Sequence, residues 1–394
     1  MKLSGSQPGN VEPLFTTATL TTCNNWRHSL AHMSWWSKFA AGKLATCVLL
    51  AAAYWVVAAA AFGGYVGKWG LRDGSTGFSA ETLLDGSANR PWVYRQLIPQ
   101  LARTLDAIAP ESARNYAIAR VRPEATFTRV RKQADASIQF ERLVMLYASF
   151  VAVFASLFIL RRVLLEVGVP RMESFAAPIV AMLAFPFLQT VGGYFYDFPE
   201  IMCFAAAVLF AMRGHWLALA VLSLPATLNK ESFLVFLLSL LPFFLRRFSA
   251  AQAVVRLLPS LVIALLVNIA LKIVYSGNPG GALQYHLGEN LGSYLSRATY
   301  LSVESTYGVP GPAMLSLVFV LLVALVAARS WRRCTIEVRR HLLLAGLLNA
   351  PLFIAFAAPG ELRNLSFLFV AAVILVAKCL MVDGTGIEPV TPAV

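Results

Sequence analysis

Between Leu44 and Val66 the chain runs 23 residues without a charge. A helix of that length spans the roughly 30 Å hydrocarbon core of a bilayer at 1.5 Å per residue. Comparable apolar runs recur, and ten spans are predicted: 44–66, 143–160, 174–192, 198–212, 215–229, 232–245, 256–276, 312–328, 341–357 and 364–381. The fourth to sixth are short and crowded, so the count is about 10 with a range of 8–11. Composition closes the alternatives. Only 13% of the 394 residues are charged and 58% are hydrophobic, whereas a soluble domain carries roughly 25% charged residues. Lipid must therefore solvate much of the surface, which excludes a soluble enzyme, a disordered scaffold and a disulfide-rich secreted domain. The expected fold class is an all-α integral membrane protein.

The formal charge of +13 would suggest a nucleic-acid partner in a soluble chain. Sorted by topology, the charges give a different answer. With the N-terminus inside, 17 Lys and Arg fall on cytoplasmic segments, among them Arg161-Arg162, Arg246-Arg247, Arg332-Arg333 and Arg339-Arg340. Three (Lys230, Arg297 and Arg363) fall on short outside loops, and twelve on one long loop, 67–142. Basic residues in short loops mark the cytoplasmic side, and the bias loses force in loops beyond ~60 residues. The prediction is N-in/C-in, with 67–142 extracytoplasmic and no nucleic-acid partner.

The ends carry less. Residues 1–32 are polar and without periodicity, so a disordered cytoplasmic tail is expected, with Met33 as an alternative start. The domain 33–381 holds the spans. The ending 382–394 reads as a disordered tail similar to frames that run into an antisense tRNA gene, and Asp383 and Glu388 are given no role. No small-residue cleavage site marks the first span as a signal peptide. The five cysteines form no CxxC and no metal-ligand spacing, and read as incidental thiols.

Ionisable groups near membrane depth are functional candidates, and here they gather on the outer side. The loop between spans three and four reads Gly192-Gly193-Tyr194-Phe195-Tyr196-Asp197-Phe198-Pro199-Glu200. Asp197 and Glu200 sit three apart on one helical side, a spacing suited to capping or to a shared divalent cation such as Mg or Mn. Asn229-Lys230-Glu231 joins spans five and six, and Pro359-Gly360-Glu361-Leu362-Arg363-Asn364 joins spans nine and ten. Lys230 with Glu231 and Glu361 with Arg363 are candidate local pairs or a site. The loop 277–311 adds Tyr285, His286, Glu289, Arg297 and Glu304, with His286 read as an ordinary loop histidine. In the first loop, Asp73, Glu81 and Asp85 precede Arg90-Pro91-Trp92-Val93-Tyr94-Arg95. From there Val93, Leu97, Leu101, Leu105 and Ile108 recur at helical spacing, which predicts an amphipathic interfacial helix of about 15–19 residues, kinked or split at Pro99.

This layout resembles the GT-C superfamily of membrane glycosyltransferases, well over residues 44–245 and loosely beyond. The strings Tyr94-Arg95-x-Leu-x-Pro99, Tyr196-Asp197-x-x-Glu200, Asn229-Lys230-Glu231 and Glu361-x-Arg363 are also similar to those of bacterial multispanning proteins of unassigned function. The resemblance implies transfer of a sugar from a polyprenyl-phosphate donor to a glycan or lipid acceptor, at the outer face of the bacterial inner membrane. It implies Asp73 or Asp85 as base on the acceptor, Asp197 as a further catalytic acid, and a metal held by Asp197 and Glu200. Arg90, Tyr94, Arg95, Tyr196, Lys230, Glu231, Glu361 and Arg363 would bind substrate. One departure stands out: no acidic pair follows the first span closely. The rival readings are a multispanning transporter or flippase, in which changes at Lys272, towards the outer end of its span, or Asn268 abolish flux, a membrane polymerase or ligase of envelope polysaccharide, and a non-catalytic assembly protein.

Overall fold

A computed structural model describes residues 19–131 and 136–381, and side chains from 44 to 131 and from 138 to 381. It is almost entirely helical. In chain order the helices are α1 (Thr19–Trp69), α2 (Ala80–Leu84), α3 (Leu97–Ile108), α4 (Glu111–Arg120), α5 (Ala136–Glu166), α6 (Arg171–Leu188), α7 (Asp197–Arg213) and α8 (Trp216–Asn229). They continue as α9 (Phe233–Leu238), α10 (Leu241–Leu245), α11 (Ala250–Val274), α12 (Leu287–Leu295) and α13 (Arg297–Tyr300), followed by a hairpin of β1 (Val303–Thr306) and β2 (Val309–Pro312). The last are α14 (Leu317–Ser330), α15 (Ile336–Phe356) and α16 (Phe369–Leu380), with a 3₁₀ turn Leu362–Leu368 leading into α16. Contacts divide the chain into Met1–Ala53 and Tyr54–Val394, and the site below lies wholly in the second unit. Within 1–32 the described residues begin at Thr19, the first residue of α1. The start of that segment and 382–394 lie outside the described residues, as does the side chain of Cys23.

Among the described residues, six helices are long and apolar enough to cross a membrane: Leu44–Trp69, Ile138–Glu166, Arg171–Leu188, Ala250–Val274, Ile336–Phe356 and Leu362–Leu380. Each overlaps a predicted span. The remaining four predicted spans are shorter helices, for reasons visible in the chain. The 232–245 run divides into α9 and α10 around Ser239-Leu240, because Pro242 lacks the N–H that would continue the helical ladder. The 312–328 run starts late, at Leu317, because Val309–Pro312 pairs as a strand with Val303–Thr306. α7 and α8 are 17 and 14 residues long; Gly214, with a left-handed φ of 72°, ends α7 and leaves only His215 before α8 begins.

The amphipathic first-loop helix is also shorter than expected. α3 begins at Leu97, after a separate 3₁₀ turn Trp92–Tyr94, and Pro99 sits in its first turn. The missing N–H costs nothing there, so Pro99 starts a helix instead of kinking one. Ile98 and Ala102 are buried, while Leu101 and Ile108 stay exposed. The loop 277–311 contains α12, α13, β1 and most of β2. Asn290 of α12 donates to the carbonyls of Ile354 and Ala357, satisfying groups at the end of α15. Lys68 pairs with Glu304 of the hairpin at 2.5 Å.

α5 packs most extensively on α7, and α8 on α11. A phenylalanine cluster (Phe204, Phe233, Phe236 and Phe367) joins α7, α9 and the turn before α16, with Phe204 and Phe236 stacked at 4.0 Å. Phe204 comes one helical turn after Glu200, Phe233 follows Ser232 and Phe367 follows Ser366, so the cluster adjoins the polar turns in sequence.

Candidate functional site

The first turn of α7 is the centre of the site. Helix N-termini carry unsatisfied N–H groups and favour carboxylates, yet the two acids there reach other partners. Asp197 Oδ2 accepts from the backbone N–H of Tyr194 and from Gln189 Nε2, both at 2.9 Å, and Oδ1 accepts from Arg363 Nη1 at 2.8 Å. Glu200 Oε2 accepts from Lys230 Nζ at 2.9 Å, and Oε1 from Ser366 Oγ at 2.7 Å. Both carboxylates are 2% exposed. The Glu361-x-Arg363 turn closes the cluster: Arg363 Nη2 donates to Glu361 Oε1 at 2.5 Å, and Asn364 Nδ2 donates to Glu361 Oε2 at 2.6 Å. Arg363 therefore forks between two acids from different turns. Burial alone would raise the Glu361 carboxyl, but the adjacent charge and hydrogen bond of Arg363 outweigh it and hold the carboxyl below its usual range.

Aromatic rings order the cations. Tyr194 and Tyr196 stack at 5.0 Å. Arg363 lies 4.5 Å over Tyr194, Arg72 4.6 Å over the same ring and 3.9 Å over Trp69, and Arg95 4.5 Å over Tyr196. Planar guanidinium groups suit such stacking. Arg95 Nη1 also donates to the Tyr196 hydroxyl. Burial opposes the charge on Arg95, but Tyr196 and Glu231 overcome it and push its pKa higher still. Burial drives the Tyr196 phenol well above its usual range, with Arg95 pulling the other way.

Two glycines permit this packing. A Cβ on Gly192 would stand 2.6 Å from Glu361 Oε1, and one on Gly193 would collide with the Trp69 indole. Trp69 Nε1 donates to the Gln189 carbonyl at 2.7 Å, and Arg72 Nε donates to the Gly193 carbonyl at 3.0 Å. Gly193→Ala is expected to displace Trp69 and Arg72 together, costing about 1–3 kcal/mol, the usual penalty of overpacking. Thermal melting in detergent, with the Trp emission maximum followed alongside, checks this.

A cavity of about 590 Å³ opens over the cluster. Its wall holds Arg72, Arg95, Lys230, Lys272 and Arg363, with Glu231, Glu361, Trp92, Tyr194 and His286. The same lining includes Leu234, Val235, Leu265, Ile269, Leu352, Phe353 and Phe356. The Nε atoms of Arg95 and Arg363 are buried without a hydrogen-bond partner among the described residues.

Five of the expected binding residues (Arg95, Lys230, Glu231, Glu361 and Arg363) thus line one cavity, with Tyr196 supporting Arg95 from behind. Arg90 and Tyr94 are not on its wall; Tyr94 is buried, and the Arg90 backbone N–H donates to the Pro279 carbonyl at 2.8 Å. Neither first-loop acid reaches the cavity. Asp73 Oδ2 is held by Arg142 Nη2 at 2.7 Å and by the Arg131 N–H at 2.9 Å. Asp85 is exposed and caps its own turn by accepting from the Ser87 N–H. All four oxygens of Asp197 and Glu200 already accept hydrogen bonds from protein groups, and no cluster of three His, Cys, Asp or Glu side chains suited to a metal occurs among the described residues. This donor set does not fit a divalent ion. Sequence reasoning missed Gln189, Ser366 and Asn349 and undervalued Arg72. Asn349, a lone amide within an apolar run, was the one visible signal; its Nδ2 donates to the Asn364 carbonyl and fixes the Glu361 turn.

No protein-family model, curated protein or solved structure matches the chain, so the likeness to the GT-C superfamily stands on sequence layout alone.

Proposed function

We propose that the chain is a multispanning inner-membrane glycosyltransferase, N-in/C-in with about ten spans, taking a sugar from a polyprenyl-phosphate donor at the extracytoplasmic face. The observation that carries this reading is the gathering of Arg72, Arg95, Lys230, Lys272 and Arg363 on the lining of one cavity that also holds apolar side chains of α9, α11 and α15. A phosphate suits that concentration of positive charge, and an isoprenoid suits the apolar side chains that α11 and α15 add to the same lining. When the sugar leaves, negative charge grows on the phosphate oxygen, and fixed cations stabilise that growth. The acceptor is a hydroxyl of a glycan or lipid.

The test uses full-length protein in phospholipid nanodiscs with undecaprenyl phosphate as probe. Arg72→Ala and Arg95→Ala are each expected to weaken binding roughly 10- to 100-fold, the scale of one lost charge-assisted hydrogen bond. Equal binding by parent and both variants would sink the proposal. Transport is the second reading, because Lys272 and Asn268 of α11 line the same cavity. Loss of substrate flux on changing either, with Arg72 and Arg95 silent, favours it.

A further inference from the structure

The transferase reading leaves its base unassigned, since Asp73 and Asp85 lie away from the cavity. Two carboxylates line the wall. Both oxygens of Glu361 are engaged, by Arg363 on one side and by Asn364 and the Ala358 N–H on the other. Glu231 differs. Its Oε1 stands 3.9 Å from Arg95 Nη2, and its Oε2 is buried without a hydrogen-bond partner among the described residues. The hydroxyl of Ser232, next in the chain and also on the wall, is likewise buried and unpartnered. Buried polar atoms without partners call for an explanation, and a group bound in the cavity is one. A sugar or lipid hydroxyl in the cavity meets the Glu231 carboxylate, whose side chain is 24% exposed, with Ser232 next to it on the lining. The cations around Glu231 are otherwise committed: Lys230 to Glu200, and Arg363 to Asp197 and Glu361. Arg95 is the cation that the structure places against the Glu231 carboxylate, 3.9 Å from Oε1.

On that reading of the site, we infer that Glu231 is the general base for the acceptor and that Ser232 positions it. The Glu231 carboxylate takes the proton of the acceptor hydroxyl. The acceptor oxygen forms the new bond to the anomeric carbon as the bond from that carbon to the phosphate oxygen breaks, and the electron pair leaves with the phosphate. The carbonyl of Glu231 is fixed by Asn268 Nδ2, and Arg95 is fixed by Tyr196, so the turn is held from both ends.

The experiment measures undecaprenyl phosphate released from undecaprenyl-phosphate-linked hexoses and pentoses, with membrane vesicles as acceptor source, and undecaprenyl phosphate binding in parallel. Glu231→Gln is expected to bind at least as tightly as the parent and to release about 100-fold more slowly or worse, the lower end of general-base contributions. Glu231→Ala should regain rate with added formate, which a structural role does not predict, and Ser232→Ala should slow release several-fold. Release by Glu231→Gln within threefold of the parent overturns the inference and leaves the transferase reading standing; His286→Gln, tested alongside, then examines the imidazole on the same lining. Loss of binding together with release in Glu231→Gln makes the residue structural, which also overturns it. A parent that neither binds nor releases any of these probes defeats the transferase reading itself.

Discussion

Arg363→Met is expected to be the most damaging single substitution in this protein, costing about 3–5 kcal/mol, the scale set by stripping one partner from a buried ion pair. The change leaves Asp197 and Glu361 buried with no guanidinium between them, at 2% and 13% side-chain exposure. The cost comes less from a lost attraction than from the charge left without solvent or partner. It also removes the cation that Tyr194 stacks against, at 4.5 Å. Domains are stable by only about 5–15 kcal/mol, so a large share of the folded population is at stake. Arg363→Lys should recover only part, because Nη1 and Nη2 reach different acids and a single ammonium cannot fork. Adding Asp197→Asn to Arg363→Met removes one stranded charge and should regain stability. Fluorescence-detected size exclusion after a temperature ramp measures all three; a melting midpoint for Arg363→Met within two degrees or so of the parent would refute the stranded-charge account.

The sequence made the location of this cluster legible but not its wiring. Carboxylates and cations crowding three tight turns stand out because polar groups at membrane depth are expensive. Their partners are hidden by distance along the chain. Lys230 adjoins Glu231 but pairs with Glu200, since neighbouring side chains point apart while a turn 30 residues away is folded against it. Glu361 and Arg363 do form the local pair that their spacing allows, and Arg363 adds Asp197 from 166 residues away. Along the chain Arg72 is only a neighbour of Asp73; no pattern places it between Trp69 and Tyr194. The long apolar helices are readable because length and hydropathy act locally. The shorter elements are not, because Pro99, Pro242 and the 303–312 hairpin decide boundaries through backbone hydrogen bonds that composition does not encode.

Asp73 is the sharpest divergence between pattern and structure, and it yields the second large effect. An acid in the first outside loop is where the family resemblance puts the base, but here the loop is clamped by it. Arg142 near the start of α5, 4% exposed, donates to Asp73 Oδ2 and at 3.2 Å to both Glu81 Oε1 and the Arg131 carbonyl. One guanidinium thereby ties the segment after α1, the start of α2 and the segment before α5. Arg142→Met strands the 2%-exposed Asp73 carboxylate and should cost about 3–5 kcal/mol by the same rule. Asp73→Asn leaves Arg142 with the more exposed Glu81, so its cost should be smaller. The decisive variant is the double, Asp73→Asn with Arg142→Met. A clamp predicts that the two changes are far from additive, with a coupling energy in the range of about 0.5–3 kcal/mol found for contacting residues, so the double melts above Arg142→Met alone. A base predicts no such recovery, because Arg142 has no part in proton transfer and Asp73→Asn would abolish turnover in well-folded protein. Melting midpoints of the four proteins in the cycle, with turnover per folded molecule, separate the two roles, and additive midpoints with turnover lost would return Asp73 to the chemistry.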